Sequence, residues 1–217
     1  MVRAMKRSGW ELAGLKGDQD LPVNSIRRSD RGYGGGEYFT AGTIGLFLDH
    51  GDYGDDPDYN PGSSGSKQTY FRSDRDSGDN GWLRMCQFGF GGNLKWMAIL
   101  ACNSFADPNY SSMKNAGAIP LKTTHLACGA STIIAVGEDI GAYWTKNMLR
   151  KQQMITDAWF NAGRSQYQNA TGQANPTKFR VVGYPECMND TVQNNTAPST
   201  PSASPGNLTK QDSQVYP

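Results

Sequence analysis

Two uninterrupted apolar runs constrain this chain more than any other feature: TIGLFLD at 43–49 and LKWMAILAC at 94–102. A strand with one face in water alternates apolar and polar residues. A run without alternation is covered on both faces, as in the parallel sheet of an α/β protein. THLACGASTIIAV (124–136) and TKFRVVGY (177–184) read as further strands, the former with a Gly-Ala-Ser interruption that marks a bend or a strand end. In EDIGAYWTKNMLRKQQMITDAWFNAG (138–163), Ile140, Tyr143, Trp144, Met148, Ile155, Ala158 and Trp159 recur at i, i+3, i+4 spacing. That spacing predicts one long helix with a face for the sheet. A shorter helix is predicted in VRAMKRSGWELAG near the start, with Met5 and Trp10 as its packing residues. The expected fold class is α/β with a mostly parallel central sheet.

At 217 residues the chain can build one substantial domain with a full core. The folded body is expected over 1–186. Residues 187–217, CMNDTVQNNTAPSTPSASPGNLTKQDSQVYP, hold few large apolar residues and many Pro, Ser, Thr and Asn, and are expected to be a flexible tail. The Gly-, Asp- and Ser-rich stretch 51–81 reads as a long loop. A net charge of +1 lacks the basic excess of a nucleic-acid binder. No apolar run approaches the roughly 20 residues that span a bilayer, and MVRAMKRSGWEL has no apolar segment of a secretory signal behind its basic residues. Neither nucleic acid nor membrane is an expected partner. Cys86, Cys102, Cys128 and Cys187 are too scattered for a disulfide framework, and no C-x-x-C pair points to a zinc ribbon or a thioredoxin-like site.

The two strongest strands end in chemistry. The first runs out into Asp49-His50-Gly51, and the second ends at Cys102. In an open parallel sheet the carboxyl ends of the strands share one edge, where ligands bind. Neighbouring strands would therefore bring an imidazole and a thiol to one crevice. The imidazole can take the thiol proton and later deliver one to a leaving amine. Gly51, having no Cβ, lets its backbone N–H come close to a substrate carbonyl. His125 and Cys128 form a poor competing pair, because residues three apart on a strand face opposite ways. His125 is expected to be packed or hydrogen-bonded instead.

An apolar strand ending in His-Gly, followed by one ending in Ala-Cys, resembles the caspase-like cysteine peptidases, a group with caspases, metacaspases, legumains, gingipains and clostripains. LFLDHGDYG is similar to the legumain form of the His motif and MAILACNSF to the Cys motif. The longer pattern, from GWLRMCQFGFGGNLKWMAILACNSF through THLACGAS to ITDAWFNA, is similar to a family of uncharacterised caspase-like domains. The resemblance implies a three-layer α/β/α sandwich, here lacking the first strand, since only about 42 residues precede the His-bearing run. It implies His50 as general acid/base, Cys102 as nucleophile, and the Gly51 and Cys102 amides as oxyanion hole. Asp52, Asn103 and Ser131 are the implied substrate-binding residues. Read from the residues themselves, the acids Asp49, Asp52, Asp55, Asp56 and Asp58 would attract a basic substrate side chain, bind calcium, or form solvated loops. A peptide or protein substrate is expected, with no cofactor and no metal. The alternative is a catalytically silent caspase-like module that binds or assembles.

Overall fold

The computed structural model describes residues 2–7, 9–11, 42–48, 51–54, 68–72, 82–84, 88, 90–114, 121–134, 139–167, 176–193 and 205–216. In chain order the elements are α1 (Val2–Arg7), β1 (Ile44–Leu48), β2 (Gly51–Gly54), β3 (Gln68–Arg72), β4 (Trp82–Arg84) and β5 (Trp96–Leu100). There follow α2 (Asp107–Lys114), β6 (Leu126–Ala130), α3 (Ile140–Leu149), α4 (Ile155–Tyr167), β7 (Thr177–Gly183) and β8 (Thr209–Val215), with short 3-10 turns at Pro185–Cys187 and Pro205–Asn207.

The two apolar runs lie side by side. β1 and β5 pair in parallel from Ile44↔Trp96 to Leu48↔Leu100, and β5 pairs in parallel with β6. The sheet order is β1-β5-β6-β7-β8. β5 and β6 are buried along their whole length, as continuous apolarity requires. The fold is thus α/β around an open five-stranded sheet. The sheet is mixed: β1, β5, β6 and β8 run the same way, and β7 runs against them, antiparallel to both β6 and β8.

The predicted helix 138–163 is two helices, and this one difference explains the other. α3 ends at Leu149, the backbone N–H of both Arg150 and Lys151 returns to the Lys146 carbonyl, and Gln152 turns the chain with φ of 52°. α4 then folds back along α3. The Asn147 side-chain amide donates to the Ala158 carbonyl at 3.3 Å, and the Trp144 indole meets Trp159 edge to face at 5.7 Å. A single helix after β6 carries the chain to the far end of the sheet and yields a parallel strand. A helix pair brings it back to the end it left, so β7 enters in the opposite direction. The apolar spacing survives the break, because Ile140, Trp144, Met148, Ile155, Ala158 and Trp159 are all buried. From Trp159 the aromatic contacts continue to Phe179 of β7 at 5.9 Å, and Tyr167 meets the same ring at 5.7 Å. At the other end of the chain Met5 of α1 is buried in the core and Trp10 packs against it.

Two further expectations are corrected. The stretch 51–81 is not loop throughout, since β2, β3 and β4 pair into an antiparallel three-stranded sheet. Its strands are short, and pairing between them supplies what periodicity in so few residues cannot signal. Nor are the described residues of the expected tail, 187–193 and 205–216, without structure. Cys187, Met188, Asp190 and Val192 are buried beside the end of β7, and β8 forms the sheet edge along all seven residues of β7. β8 is polar because an edge strand needs only its ladder and one inward face. Leu208 and Val215 supply the buried apolar contacts.

Arg180 of β7 anchors that edge. Its buried guanidinium donates to both Asp212 oxygens at 2.6 and 2.8 Å, to the Phe105 carbonyl at 2.7 Å and to Asp107 at 2.8 Å. Lys210 also reaches Asp107, at 2.6 Å. The final strand is thereby tied to the turn that follows β5.

Candidate functional site

The turn after β5, Cys102-Asn103-Ser104-Phe105, is built by bonds to the end of β6. Asn103 has φ of 56°, a left-handed conformation that asparagine tolerates better than most residues. Its N–H donates to the Thr132 carbonyl at 2.9 Å, and the Phe105 N–H donates to the Ala130 carbonyl at 2.8 Å. The Ser104 hydroxyl accepts from the Ala130 N–H at 3.0 Å and stands 3.3 Å from the carbonyls of Ile99 and Ala130. The Asn109 side-chain amide holds the carbonyls of Asn103 and Ser104 at 3.2 and 3.1 Å. Phe105 leaves no room opposite it: a Cβ on Gly129 would stand 2.5 Å from its ring. Cys102 therefore sits on a rigid corner, which suits a residue that must hold a reacting atom in place.

Gly51 closes against this corner. A Cβ built on it would lie 2.3 Å from the Cys102 carbonyl oxygen and 2.8 Å from the Cys102 nitrogen. Only glycine allows the two backbones to approach so closely. Gly51→Ala is expected to push them apart, lowering stability by about 1–3 kcal/mol and slowing reaction of Cys102 with a thiol reagent. Thermal melts and labelling kinetics measure the two effects.

The other expected site residues divide clearly. Cys102 is half-buried, and its thiol donates to the Ile134 carbonyl at 3.6 Å. Asn103 lies in the same turn. Asp52 is one residue past Gly51 in β2, opposite Tyr70 of β3. Ser131 lies just past β6, beside the Cys102 turn, but its hydroxyl is nearest the Lys178 carbonyl of β7, at 3.5 Å. His50 lies outside the described residues, as do Asp49, Asp55, Asp56 and Asp58. Sequence reasoning missed Ser104, Asn109 and Ile134. Their signal was the short polar stretch CNS directly after a buried strand, which a tight, side-chain-bonded turn requires.

Burial separates the cysteines. Cys128 and Cys187 are buried, and desolvation pushes both thiols up, Cys187 to about 12, so neither forms a thiolate readily near neutral pH. Cys102 is the more accessible thiol of these three. His125 is fully buried, with Nδ1 2.6 Å from Asp190 Oδ2, in keeping with a packed and hydrogen-bonded histidine. It stands just before β6, at the end of the sheet opposite Cys102.

No helix among the described residues is long and apolar enough to cross a membrane. Residues 37–207 match the model of DUF6345, a domain of unknown function. No curated protein and no solved structure matches the chain.

Proposed function

The chain belongs to the DUF6345 family, and we propose that it is a cysteine endopeptidase-like protein of caspase-like architecture, acting through a His50–Cys102 dyad. The observation that carries this reading is the contact of Gly51 with the Cys102 peptide at the edge shared by two neighbouring parallel strands. Leu48 and Leu100 face each other across β1 and β5; two residues further on, one chain reads His50 and the other Cys102. In this reading the helices cover both faces of the sheet in a three-layer sandwich.

The chemistry is acyl transfer. His50 takes the Cys102 proton, and the sulfur attacks the peptide carbonyl, forming an S–C bond. The Gly51 and Cys102 amides hold the oxyanion, an interaction that in such sites is worth about 3–4 kcal/mol. The C–N bond then breaks as His50 delivers its proton to the leaving amine. Water deprotonated by His50 attacks the thioester, releases the acid and restores the thiol. Every proton is carried by His50, so the cycle draws on no cofactor. Asp52 is the acid we assign to attract a basic substrate side chain.

A peptidyl electrophile tests the dyad. Selective labelling of Cys102 is expected, slowed about 10²-fold or more in His50→Ala, together with cleavage in a peptide library. Absence of cleavage, with Cys102 labelled no faster than Cys128 and Cys187, would instead identify a silent binding or assembly module.

A further inference from the structure

At the end of the sheet away from Cys102, three side chains from two distant parts of the chain converge on one buried point. His125 precedes β6, while Cys187 ends the 3-10 turn after β7 and Asp190 follows three residues later. All three are buried, and one donor atom of each lies within 4.8 Å of the others. We propose that His125, Cys187 and Asp190 form a binding site for a divalent zinc ion, separate from the Cys102 corner.

Three observations carry the assignment. The first is the donor set: an imidazole nitrogen, a thiol sulfur and a carboxylate oxygen are the ligand types zinc takes. Around a tetrahedral zinc with bonds of about 2.0–2.3 Å, ligand atoms stand about 3.3–3.8 Å apart. Groups already gathered within 4.8 Å reach that spacing by shifts of about 1 Å.

The second is the pairing inside the cluster. His125 Nδ1 lies 2.6 Å from Asp190 Oδ2, so this ring nitrogen and the carboxylate already face each other, and an ion held between them would take the place of the shared proton.

The third is the support around the cluster. Trp96 Nε1 donates to Asp190 Oδ2 at 2.9 Å, and the Trp96 ring meets His125 edge to face at 6.4 Å. The Cys187 N–H donates to the Tyr184 carbonyl and the Asp190 N–H to the Cys187 carbonyl, each at 2.9 Å, while the Asp190 carbonyl takes the Ile155 N–H at the start of α4. These bonds hold the turn and aim the carboxylate, as outer partners do around metal ligands. Binding displaces the Cys187 proton, since the ligand is the thiolate. With thiolate, carboxylate and neutral imidazole the site then carries no net charge, which suits its burial.

The full-length chain, stripped with a chelator and dialysed, is titrated with Zn²⁺ and, separately, with Co²⁺ as a spectroscopic stand-in. About one tightly held ion per chain is expected, with a raised Tm and a thiolate-to-cobalt absorption band. Cys187→Ser should lose the band and the ion, whereas Cys128→Ser and Cys102→Ala should keep both. Trp96→Phe, which removes the N–H on Asp190 together with part of the ring packed on His125, should weaken affinity about tenfold or more. Absence of the band and of any Tm rise in the parent chain would overturn the proposal, leaving a buried hydrogen-bonded pair. So would full retention of the ion by a folded Cys187→Ser chain. Both outcomes are independent of whether Cys102 cleaves peptides.

Discussion

A Cys102→Ala chain is expected to melt where the parent does and to lose peptide hydrolysis by about 10⁴-fold or more, the scale of removing a nucleophile from an acyl-transfer site. Stability should hold because little rests on the sulfur: it is half-buried at the margin of the core, and its hydrogen bond among the described residues, to the Ile134 carbonyl at 3.6 Å, is weak. The corner is maintained by Ser104, Asn109 and the backbone bonds to Thr132 and Ala130, none of which involves the thiol. Loss of turnover at constant Tm separates this variant from Gly51→Ala, which should lose both. Hydrolysis of a fluorogenic peptide mixture, with melts on the same preparations, measures the pair. Undiminished hydrolysis by Cys102→Ala would remove the dyad from consideration.

Ending the chain at residue 204 is expected to prevent folding at 25 °C. The deletion removes β8, the ladder to β7, and the burial of Leu208 and Val215, each worth about 1.5–3 kcal/mol. It also strands the Arg180 guanidinium, and breaking a buried pair on one side costs about 3–5 kcal/mol. Together these rival the 5–15 kcal/mol that typically holds a domain. Asp212→Ala isolates the charge component: about 3 kcal/mol, or a Tm lower by about 6–12 °C for a chain of this size. Acid should weaken the same clamp. The Lys210 ammonium, opposed by burial and aided by Arg180, holds the Asp107 carboxyl below its ordinary value of 3.8. That contribution is fully present above the unfolded value and fades as pH falls through the lowered one. Circular dichroism melts of the truncated and substituted chains measure all three effects. A truncated chain that melts like the parent would show that β8 contributes nothing to the fold.

Much of the candidate site was legible before any coordinates. Gly51 and Cys102 were expected at one edge of the sheet because neighbouring strands of a parallel sheet end on the same side, although β1 turns out to be only partly covered and Leu48 is exposed. β1 and β5 pair in parallel, and Gly51 lies against the Cys102 peptide. The support of Cys102 was not legible, because the bonds of Ser104 and Asn103 reach residues 26 or more positions away in β6 and its following loop. The His125–Cys187–Asp190 cluster was hidden for a related reason. Its members carry no metal-ligand spacing, and the turn bearing two of them lay in a segment whose composition suggested disorder.

Local patterning by itself marked the apolar strands β1, β5, β6 and β7 and the buried face shared by α3 and α4, since covering an apolar side chain is a demand each segment makes alone. It also marked the candidate site, at the point where an apolar run gives way to His50-Gly51 or Cys102-Asn103. Only the tertiary structure decided direction and membership. β7 is antiparallel because the chain turns at Gln152 and α4 folds back on α3. The polar residues 209–215 are a strand because β7 offers them a ladder and Arg180 offers Asp212 a partner 32 positions away. Such pairings depend on groups brought together by folding, and no window of neighbouring residues contains both halves of them.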